Sequence, residues 1–147
     1  MKIMAIASVG GHWIELLRLV PAFRNMEVIF ISTNAKCASM VPNQKFYEIP
    51  DGSRWNSINL VGSLFKIIKI IKKEKPHFII STGAAPGLMG IIAGKLMGCK
   101  TIWVESIANA EELSMSGRIA SSFSTITYVQ WPHLSNHKIK YKGDILS

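Results

Sequence analysis

The sequence predicts an α/β domain, a parallel sheet with helices on both faces, and three observations predict it. Short β-rich runs alternate with helical periods along the whole chain. At least one run, Glu27–Ser32 (EVIFIS), is continuously apolar, as strands covered on both sides are. The 147 residues are enough for one core, and no linker, repeat or low-complexity segment divides them. Residues 1–147 therefore read as a single Rossmann-like domain.

Lys2–Ser8 reads as strand one and His12–Arg24 as helix one, where Leu16, Leu17, Leu19 and Val20 supply an apolar stripe before Pro21 perturbs it. Glu27–Ser32 is strand two. The stretch Thr33–Asn43 has no clear period and reads as loop with some helix. Phe46–Ile49 is a short strand, and Pro50-Asp51-Gly52-Ser53 is a turn. Asn59–Lys75 is the longest helical pattern, closed by Pro76. On a helical wheel Leu60, Val61, Leu64, Phe65, Ile67, Ile68, Ile70 and Ile71 cover more than half its circumference, while Lys66, Lys69 and Lys73 share the opposite arc. His77–Thr82 is the next strand, Pro86–Met97 the next helix and Lys100–Glu105 the strand after it. Leu113–Phe123 reads as helix, Thr125–Trp131 as strand and Tyr141–Leu146 as a last short strand.

The chain is 48% apolar with a mean hydropathy of +0.24, yet it has no apolar run of the ~18 residues that span a bilayer. Its apolar start runs into Gly10-Gly11-His12 rather than a small-residue cleavage site, which fits a core strand and no signal peptide. Cys37 and Cys99 stand apart without CxxC spacing or an adjoining histidine, which disfavours a zinc site and a disulfide framework and fits a reducing cytoplasm.

The net charge of +8 calls for an anionic partner or surface. Lysines crowd two segments, residues 66–75 and 138–142. The plainest reading of the first is a surface helix that solvates its lysines. A second is reversible docking of Lys66, Lys69, Lys72 and Lys73 on an anionic membrane, each contributing about 1 kcal/mol. Nucleic acid ranks last, because few aromatics interleave with the basic residues.

In open α/β sheets, ligands collect at the carboxyl ends of the strands, near the point where strand order reverses. Ser8–Glu15, Ser81–Gly87 and Glu105-Ser106 fall on that edge. Gly10 and Gly11 let the backbone turn sharply, and the helix after them presents free N–H groups and a positive dipole end. Ser81-Thr82-Gly83-Ala84-Ala85-Pro86-Gly87 repeats the arrangement, with Pro86 suited to the first helical position. Neither loop carries a nucleotide fingerprint. Side by side they suit a diphosphate; otherwise both are ordinary tight turns.

His12 is placed to act as a general base, with a cap or packing residue as the alternative. Glu15 reads as an acidic residue of the first helical turn. Glu105, ending an apolar strand, needs either a ligand hydroxyl or a neighbouring donor. No carboxylate pair has metal-ligand spacing, so neither metal nor cofactor is expected.

Five stretches, in order, resemble one family: Ser8-Val9-Gly10-Gly11-His12; Lys75-Pro76 with Ser81–Gly87; Trp103-Val104-Glu105-Ser106; Leu113-Ser114-Met115-Ser116-Gly117-Arg118; and Val129-Gln130-Trp131-Pro132. The chain is similar, from Lys2 to about Gly143, to the asparagine-linked-glycosylation protein fourteen family, whose bacterial members work in capsule and exopolysaccharide synthesis.

The resemblance implies the N-terminal half of a GT-B glycosyltransferase, like the acceptor half of the peptidoglycan N-acetylglucosaminyltransferase. A separate donor-binding polypeptide would hold the UDP-sugar. This subunit, inactive alone, would hold a prenyl-diphosphate-linked acceptor at the cytoplasmic face of the membrane. Carried over by position, Gly10, Gly11, Ser81, Thr82, Gly83, Ala84 and Gly87 would cradle the diphosphate. His12 would be the base and Glu105 the second choice, in an inverting transfer without metal. Gln130, Trp131 and Pro132, with the basic tail, would meet the partner. Eukaryotic members begin with a hydrophobic anchor, whereas Met1 here starts at the first strand, which points to the bacterial branch. The rival readings are a non-catalytic activator of a separate transferase and a free-standing nucleotide-binding protein.

Overall fold

In the computed structural model, which describes residues 1–52 and 56–147, the strands are β1 (Lys2–Ile6), β2 (Glu27–Ser32), β3 (Lys45–Glu48), β4 (Phe78–Ser81), β5 (Lys100–Val104), β6 (Ile126–Val129) and β7 (Ile139–Tyr141). Ser53 of the expected turn lies outside the described residues. All pairings are parallel, in the order β3-β2-β1-β4-β5-β6-β7, with Ile6 beside both Ile31 and Ser81. Order reverses between β1 and β4, so the carboxyl ends of these two strands open the crevice where ligands of such sheets bind.

The connecting helices are α1 (Gly11–Leu19), α2 (Ser57–Glu74), α3 (Ala84–Leu96) and α4 (Met115–Phe123). Alternate residues of β1 serve the two faces. Ile3, Ala5 and Ala7 meet Trp13 and Leu16 of α1, where Trp13 stands edge-on to Phe30 at 5.8 Å between ring centroids. Met4 and Ile6 meet Ile67, Ile70 and Ile71 of α2 and Ala93 of α3. Beyond these, Leu88 and Ile91 of α3 pack on Trp103 and on Ala120 of α4. The expected architecture, with helices on both faces, is what forms.

Element ends differ from expectation for local reasons. Helix α1 stops at Leu19, and Pro21 lies in a 3-10 turn over Val20–Phe23. Helix α2 starts at Ser57 because the Asn56 side chain accepts from Ile58 N and Asn59 N at 3.1 and 3.3 Å. Helix α4 starts at Met115 because Ser114 Oγ accepts from Gly117 N at 2.9 Å. The last strand is Ile139–Tyr141 rather than Tyr141–Leu146. Asn136 Oδ1 turns the chain before it, accepting from Lys138 N and Ile139 N, and Asp144 Oδ1 curls the tail after it, accepting from Leu146 N and Ser147 N.

At the opposite, N-terminal edge, buried Glu74 at the end of α2 ties β1 and β3 together. Its carboxylate accepts from Tyr47 Oη at 2.5 Å and Lys45 Nζ at 3.0 Å, with Lys2 Nζ 3.7 Å away. These donors, Tyr47 first, hold its pKa below the usual carboxylate range.

Candidate functional site

Two helices begin at the crevice, and both begin on glycine. Gly10 precedes α1 at φ 95°, and Gly83 precedes α3 at φ 145°. Among the described residues no side chain caps either helix, whereas Asn56 and Ser114 cap α2 and α4. The first N–H groups of α1 and α3 thus lack intrahelical acceptors at the positive ends of two dipoles. Pro86 is the third residue of α3 rather than the first, a position whose N–H is also spare.

The two loops are clamped to each other. Thr82 Oγ1 donates to the His12 carbonyl at 2.6 Å, and His12 Nδ1 lies 3.1 Å from the Thr82 carbonyl. A carbonyl only accepts, so Nδ1 carries a proton, and in the neutral ring the lone pair is on Nε2. Gly83 is required for space as well as for its φ, since a Cβ there would stand 2.4 Å from His12 Nδ1. Ser81 is buried and accepts from Gly83 N at 3.2 Å, and a Cβ on Gly87 would stand 2.0 Å from its Oγ. Ser81, Thr82, Gly83 and Gly87 therefore shape the loop from inside. Ala84, half-buried at φ 65°, and exposed Gly10 and Gly11 lie nearer the surface.

Glu105 faces inward. Only 2% exposed, it accepts from Trp103 Nε1 at 2.9 Å, Asn109 Nδ2 at 2.5 Å and Ser114 N at 3.3 Å. A Cβ on Gly117 would stand 1.8 Å from its Oε2. The carboxylate answers to neighbouring donors, one of the two reasons expected for it, and locks the start of α4 onto the end of β5.

Glu15 needs a correction. It lies beyond the first turn of α1, buried, and its Oε1 accepts from Ser106 Oγ at 2.9 Å and Ile107 N at 3.2 Å. Its Oε2 is buried without a partner among the described residues. Spacing alone gave no sign of this brace between α1 and the loop after β5.

Gln130 is also internal. Its amide donates to the Glu105 carbonyl at 3.0 Å and accepts from Ile145 N at 3.0 Å, which removes its side chain from any outward contact. Trp131 is half-buried and donates to the Ile107 carbonyl at 2.8 Å; Pro132 is exposed.

On α2, Lys66, Lys69, Lys72 and Lys73 are all exposed. So are Ile58, Val61 and Phe65, at 82%, 52% and 60%. Their spacing of three and four puts them on one stripe at the end of α2 nearest the crevice. The apolar arc of more than half the wheel was the signal for it, since the sheet and α3 cover a narrower one. No helix among the described residues is long and apolar enough to cross a membrane.

This half-sheet with paired, glycine-started helices is a GT-B-type Rossmann-like domain, and solved structures share it. MurG of Acinetobacter baumannii superposes with a TM-score of 0.81 at 16% identity over 96% of this chain and 45% of that one. The chain belongs to the family described as oligosaccharide biosynthesis protein Alg14 like, which it matches over residues 32–145. Its relatives include the UDP-N-acetylglucosamine transferase subunit ALG14 of Yarrowia lipolytica, 26% identical over 97% of this chain and 80% of that protein. Another is the N-acetylmuramyl-(pentapeptide) pyrophosphoryl-undecaprenol N-acetylglucosamine transferase of Staphylococcus aureus, 27% identical over 92% of this chain but only 42% of the relative. The protein is therefore related to glycosyltransferase subunits and domains.

Proposed function

We propose that this chain is the acceptor-binding, membrane-associating subunit of a two-chain inverting glycosyltransferase of bacterial polysaccharide synthesis, with the UDP-sugar held by a separate donor-binding subunit. The observation that carries it is the clamp between the two glycine loops. It holds His12, at the start of α1, against the loop that starts α3, with Nδ1 on the Thr82 carbonyl and both helix N-termini without a side-chain cap.

The diphosphate of a prenyl-linked acceptor sits against the free N–H groups after Gly10 and Gly83, where the helix dipoles favour negative charge. His12 Nε2 takes the proton of the acceptor hydroxyl as that oxygen bonds to the anomeric carbon. The bond from this carbon to the UDP oxygen breaks, and the configuration inverts. The requirement is the tautomer: with a proton held on Nδ1 by the Thr82 carbonyl, the neutral ring offers Nε2 as the base. Ile58, Val61 and Phe65, flanked by the α2 lysines, lie on the membrane surface at the same end as the crevice.

The test is reconstitution of the chain with its donor-binding partner on a lipid-diphosphate acceptor. His12→Ala is expected to lower turnover at least 10²-fold while the pair still co-purifies. Normal turnover by this variant would remove His12 from the mechanism, and full activity of the partner alone would leave this chain an activator. Tight binding of a UDP-sugar to the isolated chain would favour a free-standing nucleotide-binding protein.

A further inference from the structure

A cavity of about 680 Å³ opens at the N-terminal edge of the sheet, away from the glycine loops. It lies between the C-terminal ends of α2 and α3, beneath the starts of β4 and β5. Its volume falls within the roughly 300–1,000 Å³ of small-molecule sites. Ile71, Pro76, Phe78 and Met97 give it apolar walls, and Lys72, Lys75 and Lys100 stand around it.

Among the described residues no acidic side chain lines this cavity, and none of the three lysines is in an ion pair. Glu74, the nearest carboxylate in sequence, is committed to Lys2, Lys45 and Tyr47. His77 accepts from Lys2 N through Nδ1 at 3.1 Å, which leaves its Nε2–H as a further donor. Uncompensated cations around an apolar hollow ask for a ligand that is anionic at one end and aliphatic at the other.

We propose that this cavity binds a single-chain anionic amphiphile, its phosphate or carboxylate head on Lys72, Lys75 and Lys100 and its chain against Ile71, Phe78 and Met97. The site takes one lipid-like molecule from solution or from a bilayer. It depends neither on the glycine loops nor on a partner chain, so it stands or falls separately from the transferase reading.

Cys99 lines the cavity and provides the assay. Burial pushes its thiol pKa up, so alkylation by iodoacetamide is followed at alkaline pH by mass spectrometry of the intact chain. Cys37, buried in the core, reports unfolding if it reacts. Dodecyl phosphate below its micellar concentration is expected to slow Cys99 alkylation at least tenfold. Octyl phosphate should need about 10²-fold more, since each buried methylene is worth about fourfold in affinity.

Equal protection by inorganic phosphate would make the site one for free phosphate and overturn the amphiphile. Equal protection by the neutral dodecyl maltoside would overturn the role of charge, and absence of protection by dodecyl phosphate would overturn the site itself. Lys100→Gln is expected to weaken protection by dodecyl phosphate at least fivefold with unchanged thermal unfolding. Unchanged protection in that variant would refute the assignment of the head group to these lysines.

Discussion

Glu105→Ala should be far more harmful to folding than to any chemical step. The substitution strands three donors: Trp103 Nε1, Asn109 Nδ2 and Ser114 N. The Trp103 side chain is fully buried, while Asn109 and Ser114 are half-buried and partly recover through water. At about 1–3 kcal/mol for each buried donor left unpaired, the loss comes to about 3–5 kcal/mol. That is a large part of the about 5–15 kcal/mol that holds an ordinary domain folded.

Gly117→Ala attacks the same contact from the other side, because its methyl would stand 1.8 Å from Glu105 Oε2. A carboxylate held by three donors cannot step aside cheaply, so this overpacking should cost about 2–3 kcal/mol. With the carboxylate already gone, the added methyl keeps one tight neighbour, Ser114 Oγ at 3.0 Å, in place of the severe clash. The double variant should therefore be less destabilised than the sum of the single ones by at least about 1 kcal/mol. Urea unfolding followed by tryptophan fluorescence measures all three variants. A Glu105→Ala chain within 1 kcal/mol of the parent, or strict additivity with Gly117→Ala, would refute the structural role given to this carboxylate.

Three other expectations rest on surface and edge chemistry. Glu74 has its folded pKa held below the unfolded value of about 4.3, so its contribution to stability is complete above that value and lost as pH falls through the folded one. Thermal unfolding between pH 7 and pH 3 should show a steeper acid decline for the parent than for Glu74→Gln, and parallel curves would count against it. Replacing Lys66, Lys69, Lys72 and Lys73 by glutamine removes about 1 kcal/mol each at an anionic surface, about 10³-fold together in partitioning, and should abolish flotation with anionic vesicles. Phe65→Ser should weaken flotation roughly tenfold while changing stability little, since the ring is 60% exposed; unaltered flotation in both variants would exclude α2 as the docking surface.

The sheet was legible because its signals are local and redundant. Both glycine loops could be placed at strand ends from Gly10-Gly11 and Gly83 alone, since only a few residue types tolerate such φ values. Caps were less legible: Asn56 and Ser114 moved two helix starts by one hydrogen bond each. Partners distant in sequence were not legible at all. The Glu15 brace spans 91 residues to Ser106 and the Gln130 amide 25 to Glu105, so a carboxylate read as a helix-start charge and an amide read as a partner contact are both occupied within the chain. The α2 wheel failed in an informative way. Val61 and Phe65 were counted with the packing face, yet the sheet and α3 leave them uncovered.

The reciprocal pair between His12 and Thr82 joins residues 70 positions apart. The proton on the histidine ring is therefore specified by backbone that belongs to a different loop. Anyone wishing to transplant this histidine into another Rossmann-like scaffold would have to move Thr82 and Gly83 with it. A recipient with a side chain at the glycine position would displace the ring, and one whose second loop sat an ångström lower would let the ring choose the other tautomer. The unit of inheritance at this edge is the pair of loops, and neither can be exchanged alone.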